Sequence, residues 1–166
     1  AAVYEIIRQK KRRLHLYAHS NGQGVDELVG AGCVDKIEIA YAGSGRFAPT
    51  CIRFRRAVES GRVVVEDYSN YQMSLRFAAG AMGLPFLPVR SGMGTDIIRR
   101  WGFDAEMRRG TPRLPNQKLV VQNDPFTDEE PRPLVLMQAI NPDVTAIHAQ
   151  QADTQGTVRI AGLTFA

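Results

Sequence analysis

A chain of 166 residues, 44% hydrophobic and 23% charged, is long enough for one domain with a sizeable core and too apolar to remain disordered. Its apolar stretches are broken by Arg, Gly or Pro well short of the roughly 18 residues a spanning helix needs, which excludes a membrane helix. The net charge of +4 is scattered outside Lys10–Arg13, Arg53–Arg56 and Arg108–Arg109 and is not interleaved with aromatics, so it argues against nucleic acid and suits a small anionic ligand as well as a polymer.

Ala1 to Lys10 reads as an amphipathic helix entered part-way, with Val3, Ile6 and Ile7 on one face, and nothing there resembles a signal peptide. Arg13 to His19 alternates as a strand, Ser20-Asn-Gly-Gln-Gly24 is a glycine-rich turn, and Val25 to Gly32 is a short helix closed by glycine. The unit repeats. Val34 to Tyr41 is the next strand, Ala42 to Arg46 the next small-residue loop, and Thr50 to Ser60 the next helix, ended by Gly61. Two cysteines, Cys33 and Cys51, stand far apart without CxxC or histidine spacing, which favours a reducing, cytoplasmic compartment over disulfides or zinc.

Val63 to Val65 is a β-branched run of the kind found in a strand covered on both faces, and it meets the polar stretch Glu66-Asp-Tyr-Ser-Asn70. Ser69 or Asn70 is placed to cap the helix that follows. A further strand is expected towards Val89, giving a third unit and the start of a fourth. From Arg90 to Gln117 the periodicity fades into a surface excursion with a helical turn or two at Asp96–Trp101. Lys118–Gln122, Pro133–Gln138 and Val144–Gln150 read as strands, with the acidic turn Asp124–Pro131 between the first two. Asp153 to Gly156 is a hairpin turn into Thr157–Ile160. The pattern predicts an α/β fold in a single domain over residues 1–166, with an open, mostly parallel sheet flanked by helices and an antiparallel C-terminal edge.

In such sheets ligands bind outside the carboxyl ends of the strands, so the loops Ser20–Gly24, Ala42–Arg46 and Glu66–Asn70 should gather into a site. Only one of Glu66 and Asp67 can face that crevice if the strand continues through them. No GxGxxG, GxxxxGK[ST] or GxSxG is present, and Ala42-Gly-Ser-Gly45 reads as a turn. His148 is expected as a hydrogen-bonded residue in an apolar strand or, less simply, as an acid or base. No metal site is expected.

The chain resembles the alpha subunits of the family I CoA-transferases of the glutaconate CoA-transferase type. The resemblance runs collinearly from about residue 2 to 163, through Asp26–Gly32, Tyr41-Ala-Gly-Ser-Gly45, Glu66-Asp-Tyr-Ser69, Ala81–Pro88, Ile147-His-Ala-Gln-Gln-Ala-Asp153 and Gly156–Ile160. It implies the fold shared by CoA-transferases and sugar-phosphate isomerases. It also implies a fragment, with the family's first strand before Ala1 and a further region after Ala166.

The activity implied moves coenzyme A from an acyl-CoA to a free carboxylate, with the CoA thioester as substrate and no bound cofactor. The nucleophilic glutamate would belong to a partner beta subunit, leaving no catalytic residue here. Ser44 would contact the acyl carboxylate, with Gly43 and Gly45 bringing backbone N–H groups close. The remaining candidates for substrate binding are Asn21, Gly22, Glu66, Ser69, His148 and Gln150. Some relatives open a steroid ring on a CoA thioester as hydrolases, and there Glu66 would be catalytic. A silent binding domain of the same fold is a third possibility. Pro85 to Pro88, with Met82 and Met93, is expected either in an interface or in core packing.

Overall fold

The computed structural model describes residues 1–127 and 131–161. Residues 128–130 of the acidic turn and residues 162–166 lie outside them. Helix α1 (Ala2–Arg8) leads to strand β1 (Leu14–Asn21), helix α2 (Gln23–Gly30), strand β2 (Val34–Ala42), helix α3 (Ile52–Glu59), strand β3 (Val64–Asp67) and helix α4 (Asn70–Ala81). The three strands form a parallel sheet in the order β1-β2-β3, with Ala18 opposite Ile39 and Glu38 opposite Glu66.

Alternation along the strands assigns the two faces. Leu14, Leu16 and Ala18 of β1, with Ile37 and Ile39 of β2, pack with Val25, Leu28 and Val29 of α2 and Ala57 of α3 into the main core. The opposite face carries Tyr17, Ala40 and Tyr68 against Met73 and Phe77 of α4. Gly32 and Gly61 take φ of 69° and 70° just beyond α2 and α3, the left-handed conformation that lets the chain leave a helix and re-enter the sheet.

The expected α/β class, with a helix-flanked parallel sheet and antiparallel strands towards the C-terminus, is the one observed. The antiparallel part begins earlier than expected and forms its own sheet. Strand β4 (Phe86–Val89) does not extend the parallel sheet; it pairs antiparallel with β6 (Pro133–Gln138), which also pairs with β5 (Leu119–Asn123). Pro88 has no N–H to donate and therefore suits β4 as an edge strand. Between β4 and β5, two short helices, α5 (Asp96–Arg99) and α6 (Ala105–Gly110), occupy the stretch read as a surface excursion. Only α5 was expected.

The strand expected at Val144–Gln150 is absent. Residues 144–148 are exposed and without regular structure, Val144 at 84% and Ile147 at 65%, so no neighbour among the described residues supplies the hydrogen bonds a strand needs. The hairpin that follows is present in miniature as β7 (Gln151–Ala152) and β8 (Val158–Arg159), turning through Asp153–Gly156.

Candidate functional site at the carboxyl edge

The carboxyl ends of β1 and β2 are tied together by their loops. Asn21 closes β1; its carbonyl accepts from the Gly43 N–H at 3.2 Å, and its side chain accepts from the Val25 N–H of α2 at 3.1 Å. Gly22 lies directly beneath the second loop, where an added Cβ would stand 2.7 Å from both the Gly43 carbonyl oxygen and Ser44 Oγ. A side chain at residue 22 would therefore displace Ser44. Gly43 is equally confined, because a Cβ there would meet Tyr41 Oη and the Pro49 carbonyl.

The loop from Gly43 to Cys51 is closed on itself. Ser44 N–H donates to Ala48 O at 2.8 Å, Phe47 N–H to Ser44 O at 3.2 Å, Cys51 N–H to Ala42 O at 3.0 Å and Tyr41 Oη to Pro49 O at 2.9 Å. Gly45, at φ 56°, takes the left-handed turn. Ser44 is half-buried, while Gly45, Arg46 and Phe47 are exposed at the tip. The Cys51 thiol lies under the loop and donates to the Gly22 carbonyl at 3.3 Å. Burial first and then the Asp26 carboxylate push that thiol up from its ordinary pKa, against a lowering hydrogen bond with Ser44. A mainly apolar cavity of about 330 Å³ opens beside this loop, lined by Tyr41, Ala42, Thr50, Phe54, Val58 and Asp67 among others.

The third loop joins through Ser20, whose hydroxyl donates to Asn70 Oδ1 at 3.1 Å. Its other residues are engaged in structure. Ser69 is the N-cap of α4 in a complete capping box: its hydroxyl accepts from the Gln72 N–H at 3.1 Å, and the Gln72 side chain accepts from the Ser69 N–H at 2.9 Å.

Glu66 does not stand at an open strand end, because β3 continues through Asp67. It is 1% exposed and accepts both hydrogen bonds from Arg108 Nη2, at 2.6 and 2.5 Å, and one from the Phe103 N–H at 3.1 Å. Beside it, Glu38 is paired with Arg76 at 2.7 Å and approached by His15 Nε2 at 3.0 Å, near enough for an ion pair but not aligned as a hydrogen bond. Burial, the largest influence on Glu38, pushes its carboxyl up. Arg76 and His15 together outweigh burial, so the group lies below its ordinary value. Lys118 Nζ donates to the carbonyls of Ile97 and Arg100 at 2.7 and 3.2 Å and lies 3.7 Å from Asp67 Oδ1. Burial lowers its pKa, opposed by Asp67 and Glu66.

His148 and Gln150 are exposed in the irregular stretch before β7, and Gln150 accepts from the Ala161 N–H at 3.1 Å. Among the described residues, no hydrogen bond or ion pair links either to the Ser44 loop. Thus Asn21, Gly22, Gly43, Ser44 and Gly45 come together. Glu66 and Ser69 face inward or cap a helix, and His148 and Gln150 stand apart. Cys51, Thr50 and Asp26 were missed in the sequence. Asp26 alone carried a signal there, as an acid in the first turn of a helix.

A parallel sheet flanked by helices, with a glycine- and serine-bearing loop beside an apolar cavity at its carboxyl edge, defines an α/β domain of the architecture in which ligands are bound outside the strand ends. The chain belongs to the coenzyme A transferase family, whose model matches residues 1–164. It is 36% identical over 165 residues to the A subunit of glutaconate CoA-transferase from Acidaminococcus fermentans, covering 99% of this chain and 51% of the relative. The crystal structure of glutaconate coenzyme A-transferase from that organism superposes with a TM-score of 0.92 at the same identity, over 99% of this chain and 51% of that one. Identity to the A subunit of 3-oxoadipate CoA-transferase from Pseudomonas knackmussii is 35% over 167 residues, 98% of this chain and 52% of the relative. A cholesterol ring-cleaving hydrolase IpdA subunit of Rhodococcus jostii is 28% identical over 110 residues, 66% of this chain and 33% of that protein. The chain thus spans about half the length of the first two relatives. No helix among the described residues is long and apolar enough to cross a membrane, and no group of three or more His, Cys, Asp or Glu among them could hold a metal ion.

Proposed function

We propose that this chain is part of the alpha subunit of a two-subunit CoA-transferase, and that it supplies the acyl-substrate side of a site completed by a beta subunit. The observation that carries the reading is the packing of Ser44 over Gly22 beside the apolar cavity, in a chain matching the A subunits of two such enzymes. Ser44 donates a hydrogen bond to the free carboxylate of a dicarboxylic acyl group, and the exposed Gly45 leaves the backbone open to it. The apolar cavity takes the carbon chain. Asn21, Gly22 and Gly43 hold the loop in place.

In the reaction proposed, a glutamate carboxylate of the partner attacks the thioester carbonyl, the C–S bond breaks, and CoA leaves as thiolate. The thiolate then attacks the glutamyl carbonyl of the anhydride, releasing the first carboxylate and leaving glutamyl-CoA. The second carboxylate reverses both steps. The two free, buried cysteines support a reducing, cytoplasmic setting.

The relationship to the ring-cleaving hydrolase subunit favours a second reading, in which Glu66 is catalytic. Its burial beneath Arg108 and the Phe103 N–H supports a structural role instead. The chain is proposed to form one part of a longer subunit, because it matches about half the length of both CoA-transferase A subunits.

The test is mass spectrometry of CoA-modified peptides after the full-length protein, co-expressed with its partner, is mixed with acyl-CoA. A CoA adduct on the partner alone is expected. Full turnover without any adduct, with Glu66→Gln inactive, would replace transfer by hydrolysis. Activity of the purified single chain would remove the two-subunit reading, and inactivity with and without the partner would leave a silent binding domain.

A further inference from the structure

We propose a second ligand site at the amino edge of the parallel sheet, opposite the Ser44 loop, for a small phosphorylated metabolite of nucleotide type. A cavity of about 320 Å³ opens there, within the ~300–1,000 Å³ typical of small-molecule pockets. Its residues come from the segments entering the three strands: Arg12 and Arg13 ahead of β1, Asp35 at the start of β2 and Arg62 ahead of β3. Its floor, formed by Val29, Val34, Ala57 and Val63, is buried and apolar.

The rim carries three guanidiniums. Arg12 donates to Lys11 O and Cys33 Sγ, and Arg62 to Ser60 Oγ; among the described residues none of the three has a carboxylate partner. Arg13 is held at φ 58°, a left-handed conformation rare for a bulky residue. Asp35 pairs with Lys36 through Oδ2 at 3.3 Å, while its Oδ1 is buried with no hydrogen-bond partner. Arginines recognise phosphate by planar, multidentate bonding, a ring can lie on the apolar floor, and the Asp35 side chain, 39% exposed, offers Oδ2 as an acceptor for a sugar hydroxyl or an amino group.

Those three features together select the ligand class. Inorganic phosphate would leave the floor and Asp35 unused. A nucleic-acid strand favours stacking aromatics, and none lines this cavity. Arginines beside the C-termini of α2 and α3 also offset the helix dipoles. Among the described residues, however, none of the three bonds a carbonyl of either helix.

The probe is AMP, titrated calorimetrically into the full-length protein with its partner. One saturable AMP per chain is expected, with affinity reduced at least tenfold in the Arg12→Gln, Arg62→Gln double variant and severalfold in Asp35→Asn. Turnover without AMP should be unchanged in both, since the site lies at the other edge. If the double variant is not folded by circular dichroism, Arg13→Gln and Asp35→Asn decide the matter. Absence of saturable heat, wild-type affinity in the folded variants, or tighter binding of a single-stranded oligonucleotide than of AMP would overturn the proposal.

Discussion

Arg108 reaches back 42 residues to place one nitrogen on both oxygens of Glu66, in a pair 2% and 1% exposed at its side chains. The contact pins the Trp101–Phe103 segment to β3, where Gly102 sits so close that a Cβ would meet the Val65 carbonyl. Removing one member of a buried pair strands the other, at about 3–5 kcal/mol, whereas an apolar replacement of both is often neutral. Arg108→Met should therefore destabilise the protein by about that much, and Arg108→Met with Glu66→Leu should recover most of it. Urea denaturation of the four proteins in the cycle measures this, and a double variant no better than Arg108→Met would contradict the desolvation argument.

Acid and alkali should each weaken the α4 face, for opposite reasons. The Glu38 carboxyl titrates below its ordinary value when folded, so its contribution is present above the unfolded pKa of about 4.3 and is lost as pH falls through the lower folded value. Tyr17 is pushed up to about 12, by burial first and then by Glu38, so its contribution is complete below about 10 and is lost as pH rises towards 12. Urea midpoints should fall at both ends. Glu38→Gln should flatten the acid limb and Tyr17→Phe the alkaline one; unchanged limbs would assign the pH dependence to other groups.

Ser44→Ala and Gly22→Ala should both impair the site, by different routes. On the role proposed for Ser44, the first removes a donor to a charged group, about 1.5–3 kcal/mol, or roughly ten- to a hundredfold in kcat/KM, with little change in stability. The second inserts a methyl 2.7 Å from Ser44 Oγ and the Gly43 carbonyl, so the loop must move, at about 1–3 kcal/mol of stability as well. Steady-state kinetics with the partner present, beside thermal unfolding, separates the two. Unaltered kinetics in both variants would move the acyl site elsewhere.

Local regularities made the parallel half legible. Period-two strands, glycine stops and small-residue loops predict β1 to β3 nearly to their ends, and with them the nearness of the Ser20–Gly24 and Ala42–Arg46 loops; that Gly22 lies against Ser44 is visible only in the structure. A cap at Ser69 or Asn70 is readable too, and the structure selects Ser69, where Gln72 three residues on completes a capping box. Long-range pairing was not readable. Nothing near Glu66 announces Arg108, and Lys118 looks like any strand-flanking lysine until Asp67 and the carbonyls of Ile97 and Arg100 surround it. The strand expected around His148 failed for a related reason: apolar residues such as Val144 and Ile147 indicate a strand only where a neighbour exists to pair with it.

Asp26 supplies to α3 the cap that α3 lacks. The N-cap position is Cys51, which makes no side-chain capping bond, and the N–H groups of Arg53 and Phe54 donate instead to Asp26 Oδ1 at 2.8 and 2.9 Å. These are the second and third residues of the helix, the donors a capping side chain ordinarily satisfies. Asp26 also meets the Arg53 guanidinium at 3.1 Å, so α2 holds the start of α3 and, through Cys51, the end of the Ser44 loop. Asp26→Ala should cost about 1–2 kcal/mol, while Asp26→Asn, which keeps an acceptor oxygen, should cost less. Hydrogen exchange should accelerate at Arg53 and Phe54 in the alanine variant and spread to Ser44 and Cys51, whose N–H groups close the loop. Faster exchange at Arg53 and Phe54 with Ser44 unaffected would show that the loop is held by its own bonds and not by the borrowed cap.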